Sequence, residues 1–138
     1  MKSIFSLVAL FGIALAQNAH IGLPTTGQKL SRGDDVTVQV QRPNTLSPSQ
    51  EMAVAIGIAS CGKKGCNVAS DVLGTVVYNG KFKPEYHESG LPPYQNFTVK
   101  VPDSLAQGRA QVNVAHATLV GAGPQPYLES LNRTVVIV

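Results

Sequence analysis

Tryptophan is absent from this chain, cysteine occurs twice, histidine three times, and charged residues make up only 14% of the total. Each scarcity removes a class of function. Without an indole, stacking against sugar rings would fall to the four tyrosines. Two thiols do not make a zinc site without further ligands. The formal charge of +3 is small and spread along the chain, which argues against the basic stripe of a nucleic-acid binder. After residue 16 no apolar run approaches the length of a transmembrane helix, so no membrane anchor is expected.

What is present begins with a leader. Lys2 supplies a positive charge, Ile4 to Leu15 an apolar core, and Ala14-Leu15-Ala16 a small-x-small cleavage site, so residues 1–16 read as a secretory signal peptide. Residues 17–138 then form one secreted domain, large enough to bury a core of its own and expected to be a monomer. In an oxidising compartment Cys61 and Cys66 are expected to form a disulfide across Gly62-Lys63-Lys64-Gly65.

The dominant pattern beyond the leader has a period of two. Val36, Val38 and Val40 alternate with polar residues, as do Phe97, Val99 and Val101, and then Val112 and Val114. Val54, Ile56 and Ile58 alternate with small residues, which suggests a strand covered on both faces. Residues 72–78 read as a strand ended by an Asn79-Gly80 hairpin turn, and 134–138 as the last strand. His20 to Pro24 reads as a short edge strand, 29–32 as a polar connector and 42–49 as a loop. Pro102 ends one strand and 103–106 form a corner, while 121–124 form a turn. About seven antiparallel strands without a long helix predict an immunoglobulin-like β-sandwich.

Two N-x-[ST] acceptors are present, at Asn96 and Asn132, and the alternation around Phe97 places Asn96 on the wet face of its strand. Residues 81–94, KFKPEYHESGLPPY, have no period and read as a long loop. Its aromatic residues among charges have the make-up of interface anchors, so Phe82, Tyr86, His87 and Tyr94 are the expected partner-binding positions.

Catalytic chemistry is hard to assemble. His116 shares parity with Val112 and Val114 and is expected in the core, with both ring nitrogens bonded or the ring neutral; the opposite parity of Leu119 suggests a bulge nearby. A leader cut after Ala19 would put His20 at the N-terminus, where it could chelate copper with His116, but that cut puts Gln17 at the minus-three position, against the cleavage rule. Glu85, His87 and Glu88 splay apart in an extended loop, Asp34 and Asp35 point to opposite faces, and Arg32-Gly33-Asp34 is explained as a turn. No helix follows Gly121-Ala122-Gly123 to make it a phosphate cradle. No catalytic residue, metal site or cofactor is expected.

The run from Gln95 to Pro102, together with Ser104-Leu105, Gly108-Arg109-Ala110, Val114-Ala115-His116 and Leu119 to Gly123, resembles the necrosis-inducing secreted protein family of fungal effectors. Ile21 to Pro24, Gly33-Asp34, Val54 to Ala59, Leu73-Gly74 and Asn132 to Val135 fall where that family has similar residues. The resemblance implies a secreted fungal protein, delivered to the host apoplast or host cell. There it would bind plant receptor-like kinases, including an immune co-receptor kinase, and dampen pattern-triggered immunity without catalysis. It carries over no residue-level site. The rival expectation is a fungal cell-wall or polysaccharide-associated sandwich.

Overall fold

The computed structural model describes residues 19–44 and 48–138. The leader reading of residues 1–16 lies outside them. Among the described residues there are eight strands and no helix. Strands β1 (His20–Leu23), β3 (Asp35–Gln41) and β6 (Tyr94–Lys100) form one sheet in the order β1-β3-β6. Strands β2 (Lys29–Leu30), β4 (Ser49–Ser60), β5 (Thr75–Gly80), β7 (Gly108–Val120) and β8 (Gln125–Ile137) form the second, in the order β2-β8-β7-β4-β5. The result is the expected immunoglobulin-like sandwich.

Its core follows from the alternation. Val36 and Val38 on β3 lie opposite Val99 and Phe97 on β6, all buried. On the other sheet Ile56, Val114 and Leu131 form a row across β4, β7 and β8 and are likewise buried. Side chains that share a face meet across the ≈10 Å gap between sheets. Arg133 on β8 ties the two sheets together, donating to the Thr26 hydroxyl (3.0 Å) and to the Ile21 carbonyl.

Several expectations need correction. The stretch 29–32 is not only a connector: Lys29 and Leu30 pair with Val136 and Ile137 of β8 in parallel, because Leu30 has a place in the core. This β2–β8 pair is parallel in an otherwise antiparallel set. Asn79-Gly80 is not a hairpin turn. Both residues pair with β4, opposite Ala55 and Val54, because β5 leads into the opposite sheet and has no following strand to double back on. Residues 72–74 precede β5 rather than belonging to it; they cover the outer face of β4 and β7. There the Asn113 carboxamide donates to the Val72 and Leu73 carbonyls (3.1 and 3.2 Å), and a Cβ on Gly57 would lie 2.3 Å from the Leu73 oxygen. Gly57 is therefore dictated by close backbone approach. The Cys61–Cys66 disulfide is formed, closing the tip that follows β4.

Candidate functional site

The most unusual chemistry in the fold is a row of buried charges at one end of the five-stranded sheet. His116 on β7 is fully buried, as its parity predicts, and sits directly opposite Glu129 on β8 and Val54 on β4. Its Nδ1–H donates to Glu129 Oε1 at 2.8 Å, and its Nε2–H donates to Glu51 Oε2. Both nitrogens are satisfied, but by carboxylates, an arrangement that favours the imidazolium over the neutral ring.

A bulge makes this possible. Between Glu51 and Ala53 the register of β4 against β7 slips, so that Glu51 rather than Met52 lies opposite Thr118. The slip turns Glu51 inward beside Val54 and sends Met52 out to solvent, where it is exposed. The expected irregularity is therefore real but lies on β4, not at Leu119; Leu119 faces out opposite Pro126.

Arg42 extends the row. It follows β3 directly, is buried, and donates from Nε to Glu51 Oε1 (2.7 Å), from one terminal nitrogen to the Pro43 carbonyl (2.6 Å) and from the other to Ser49 Oγ (2.7 Å). Ser49 Oγ in turn donates to Glu51 Oε1 at 3.0 Å. Arg42, Glu51, His116 and Glu129 thus alternate in sign along a continuous chain, two positive and two negative. Phe82 closes it from the core side, edge-on to His116 with centroids 5.3 Å apart.

Burial alone would push the His116 pKa down, but hydrogen bonds to Glu129 and Glu51, and the charges of both carboxylates, outweigh it and raise it above 6.5. Burial alone would push Glu51 up; hydrogen bonds from His116 and Arg42, the imidazolium charge and the Ser49 hydroxyl together hold it below 4.5. The arrangement is closed on itself. With both imidazole nitrogens donating to carboxylates, no ring lone pair remains to act as a base toward Ser49 or as a metal ligand.

The copper pairing is not assembled: His20 lies exposed on β1 of the three-stranded sheet, and both ring nitrogens of His116 are taken up by Glu129 and Glu51. Among the described residues no group of three or more His, Cys, Asp or Glu is placed to hold a metal ion.

The expected partner-binding loop divides into two populations. Phe82 is 3% exposed and belongs to the core, and Tyr94 is buried as the first residue of β6, so neither is available as a surface anchor. Sequence reasoning missed this because an aperiodic loop gives no parity from which to read burial. His87 stacks on Tyr94 (centroids 4.2 Å apart) and donates from Nε2 to the Tyr94 carbonyl (3.1 Å), while the Tyr94 hydroxyl donates to Glu88 (2.8 Å). Acceptance by Glu88 pushes the Tyr94 pKa up. Tyr86 is 64% exposed, its hydroxyl accepting from the Asn44 carboxamide, and Leu91 is also exposed. A groove of about 300 Å³ opens beside this loop, with Arg42, Glu51 and Ser49 in its wall and Pro43, Pro84 and Pro93 among its lining.

Of the ionic row, sequence reading found only His116. Glu129 was legible, since it shares parity with the core residues Leu131, Val135 and Ile137 and a carboxylate on that face requires a partner. Arg42 and Glu51 were not, because the bulge that aims Glu51 leaves no trace in the alternation.

Fold and site together define a small β-sandwich whose internal charges are used up in its own core. The chain belongs to the Nis1 family, whose model matches residues 14–136. It is 30% identical over 135 residues to necrosis-inducing secreted protein 1 of Colletotrichum higginsianum, covering 98% of this chain and 88% of that protein. With the protein of the same name from Colletotrichum orbiculare the identity is 24% over 135 residues, covering 98% and 78%. Among solved structures, a superoxide reductase (neelaredoxin) from Ignicoccus hospitalis superposes with a TM-score of 0.48 at 13% identity, over 88% of this chain and 81% of that one.

Proposed function

We propose that this protein is a secreted, non-catalytic fungal effector that acts by binding a host protein. The partners we assign are plant receptor-like kinases, including an immune co-receptor kinase, and the outcome is suppression of pattern-triggered immunity. The observation that carries this reading is membership of the Nis1 family over residues 14–136, with relatives named as necrosis-inducing secreted proteins. The site supports a binding role over catalysis because the acid and base groups of the ionic row neutralise one another, and among the described residues no nucleophile stands beside a free base of that row.

Within the loop of residues 81–94, Tyr86 and Leu91 are the side chains offered to a partner, and an exposed tyrosine beside an exposed leucine is suited to anchoring an interface. The direct test is calorimetric titration of the purified chain, its disulfide intact, against the purified kinase domain of a plant immune co-receptor. Saturable binding weakened at least tenfold by Tyr86→Ala supports the reading. No binding at concentrations where the folded chain is soluble contradicts it.

A further inference from the structure

We propose that Asn96 and Asn132 are both N-glycosylated and that the two glycans cover opposite broad faces of the sandwich. Of the seven asparagines in the chain, only these two are followed by the acceptor threonine at the second position, Thr98 and Thr134. The fold treats them differently from the others it uses structurally. Asn113 is fully buried and spends its amide on two backbone carbonyls, whereas Asn96 and Asn132 are exposed and neither makes a side-chain hydrogen bond among the described residues.

Each side chain is exposed on the outer face of its sheet. Asn96 lies on β6, opposite Gln39 of β3, whose own side chain is buried and bonded to Gln41 Nε2 (2.7 Å). Asn132 lies on β8 opposite Asn113, between the buried core residue Leu131 and the half-buried Arg133, whose guanidinium reaches Ile21 of the other sheet. Since β6 belongs to the three-stranded sheet and β8 to the five-stranded one, side chains that leave their outer faces point away from each other.

The chemistry is oligosaccharyl transfer from a lipid diphosphate-linked oligosaccharide. A bond forms between the asparagine Nδ2 and C1 of the first sugar, the C1–O bond to the diphosphate breaks, the lipid diphosphate leaves with the electron pair, and the amide loses one proton. Neither site is sterically closed in the folded protein, so the sugars, once attached, demand no rearrangement of strands.

The consequence deepens the proposed function, resting on its secreted character but not on the kinase partner. With a bulky sugar chain on each broad face, a protein partner is left the ends and edges of the sandwich, where the loop bearing the exposed Tyr86 and Leu91 remains available.

The test is expression of the full chain in a secreting fungal host, followed by intact mass and peptide mapping before and after enzymatic release of N-glycans, which converts each occupied asparagine to aspartate. The expected result is conversion at both positions, loss of one glycan in Asn96→Gln, loss of the other in Asn132→Gln, and no N-glycan in the double variant. Unmodified asparagine at either position, in medium or in cells, overturns the two-faced assignment. Titration of the same material against the kinase domain keeps the outcomes apart: occupied sites without kinase binding leave this inference standing and sink the partner.

Discussion

Nδ1 of His116 and Oε1 of Glu129 are 2.8 Å apart across β7 and β8, in a register row that also contains Val54, so an ion pair occupies a position that elsewhere in the sheet is filled by branched aliphatic side chains. The partnership is completed by Glu51 and Arg42, and its energetic meaning is best read through substitution and pH.

His116→Leu removes the cation from between two buried carboxylates and leaves them facing each other. Breaking a buried pair by removing one partner costs about 3–5 kcal/mol. Urea denaturation should show a loss of that size, and adding Glu51→Gln should not recover it, because that change takes from buried Arg42 its own carboxylate partner.

Stability should be greatest in mildly acidic solution. The folded pKa of His116 is raised, so its contribution is complete below the unfolded value of 6.5 and is lost as pH rises through the folded one. The folded pKa of Glu51 is lowered, so its contribution is complete above 4.5 and is lost as pH falls through the folded one. Both are present between these limits. Thermal melts across the range should therefore give a maximum there, and His116→Leu should flatten the decline on the alkaline side.

Much of the sandwich was legible because alternation is a direct consequence of strand geometry: Val36, Val38 and Val40, Phe97, Val99 and Val101, and Val112 and Val114 all face inward as read. What escaped depends on partners that the local sequence does not name. Asn79-Gly80 has the chemistry of a tight turn yet extends β5 along β4, and Leu30 pairs in parallel with a strand more than a hundred residues away. The core place of His116 was visible by parity; its charge was not, because that rests on a one-residue bulge in β4 and on Arg42 arriving from the other sheet.

Gly57→Ala should destabilise the fold by about 1–3 kcal/mol, since the new methyl group meets backbone rather than a movable side chain. The Leu73 oxygen, at 2.3 Å from the Cβ position, would have to retreat and carry Val72 away from Asn113. Gly62→Ala, with nothing within 4 Å of its Cβ, should be near neutral in the same denaturation series.

Reduction of Cys61–Cys66, or replacement of both by serine, should cost no more than about 2 kcal/mol, because closing so short a loop removes little entropy from the unfolded chain. The domain should stay folded, with near-unchanged far-ultraviolet circular dichroism and a modestly lowered Tm.

The loop of residues 81–94 should separate stability from binding. Phe82→Ala empties a core position beside His116 and Phe97 and should cost about 3–5 kcal/mol. Tyr86→Ala should leave the Tm within a degree or two while weakening kinase-domain binding at least tenfold, since surface substitutions usually stay within about 0.5 kcal/mol.

Immune suppression is tested by the oxidative burst elicited by a microbial peptide in leaf tissue expressing the secreted chain, beside tissue expressing an inert protein at the same level. The expected result is a suppressed burst that is restored by Tyr86→Ala with the variant protein present and folded. An undiminished burst in tissue where the wild-type chain is shown to be present and folded would contradict immune suppression by this protein.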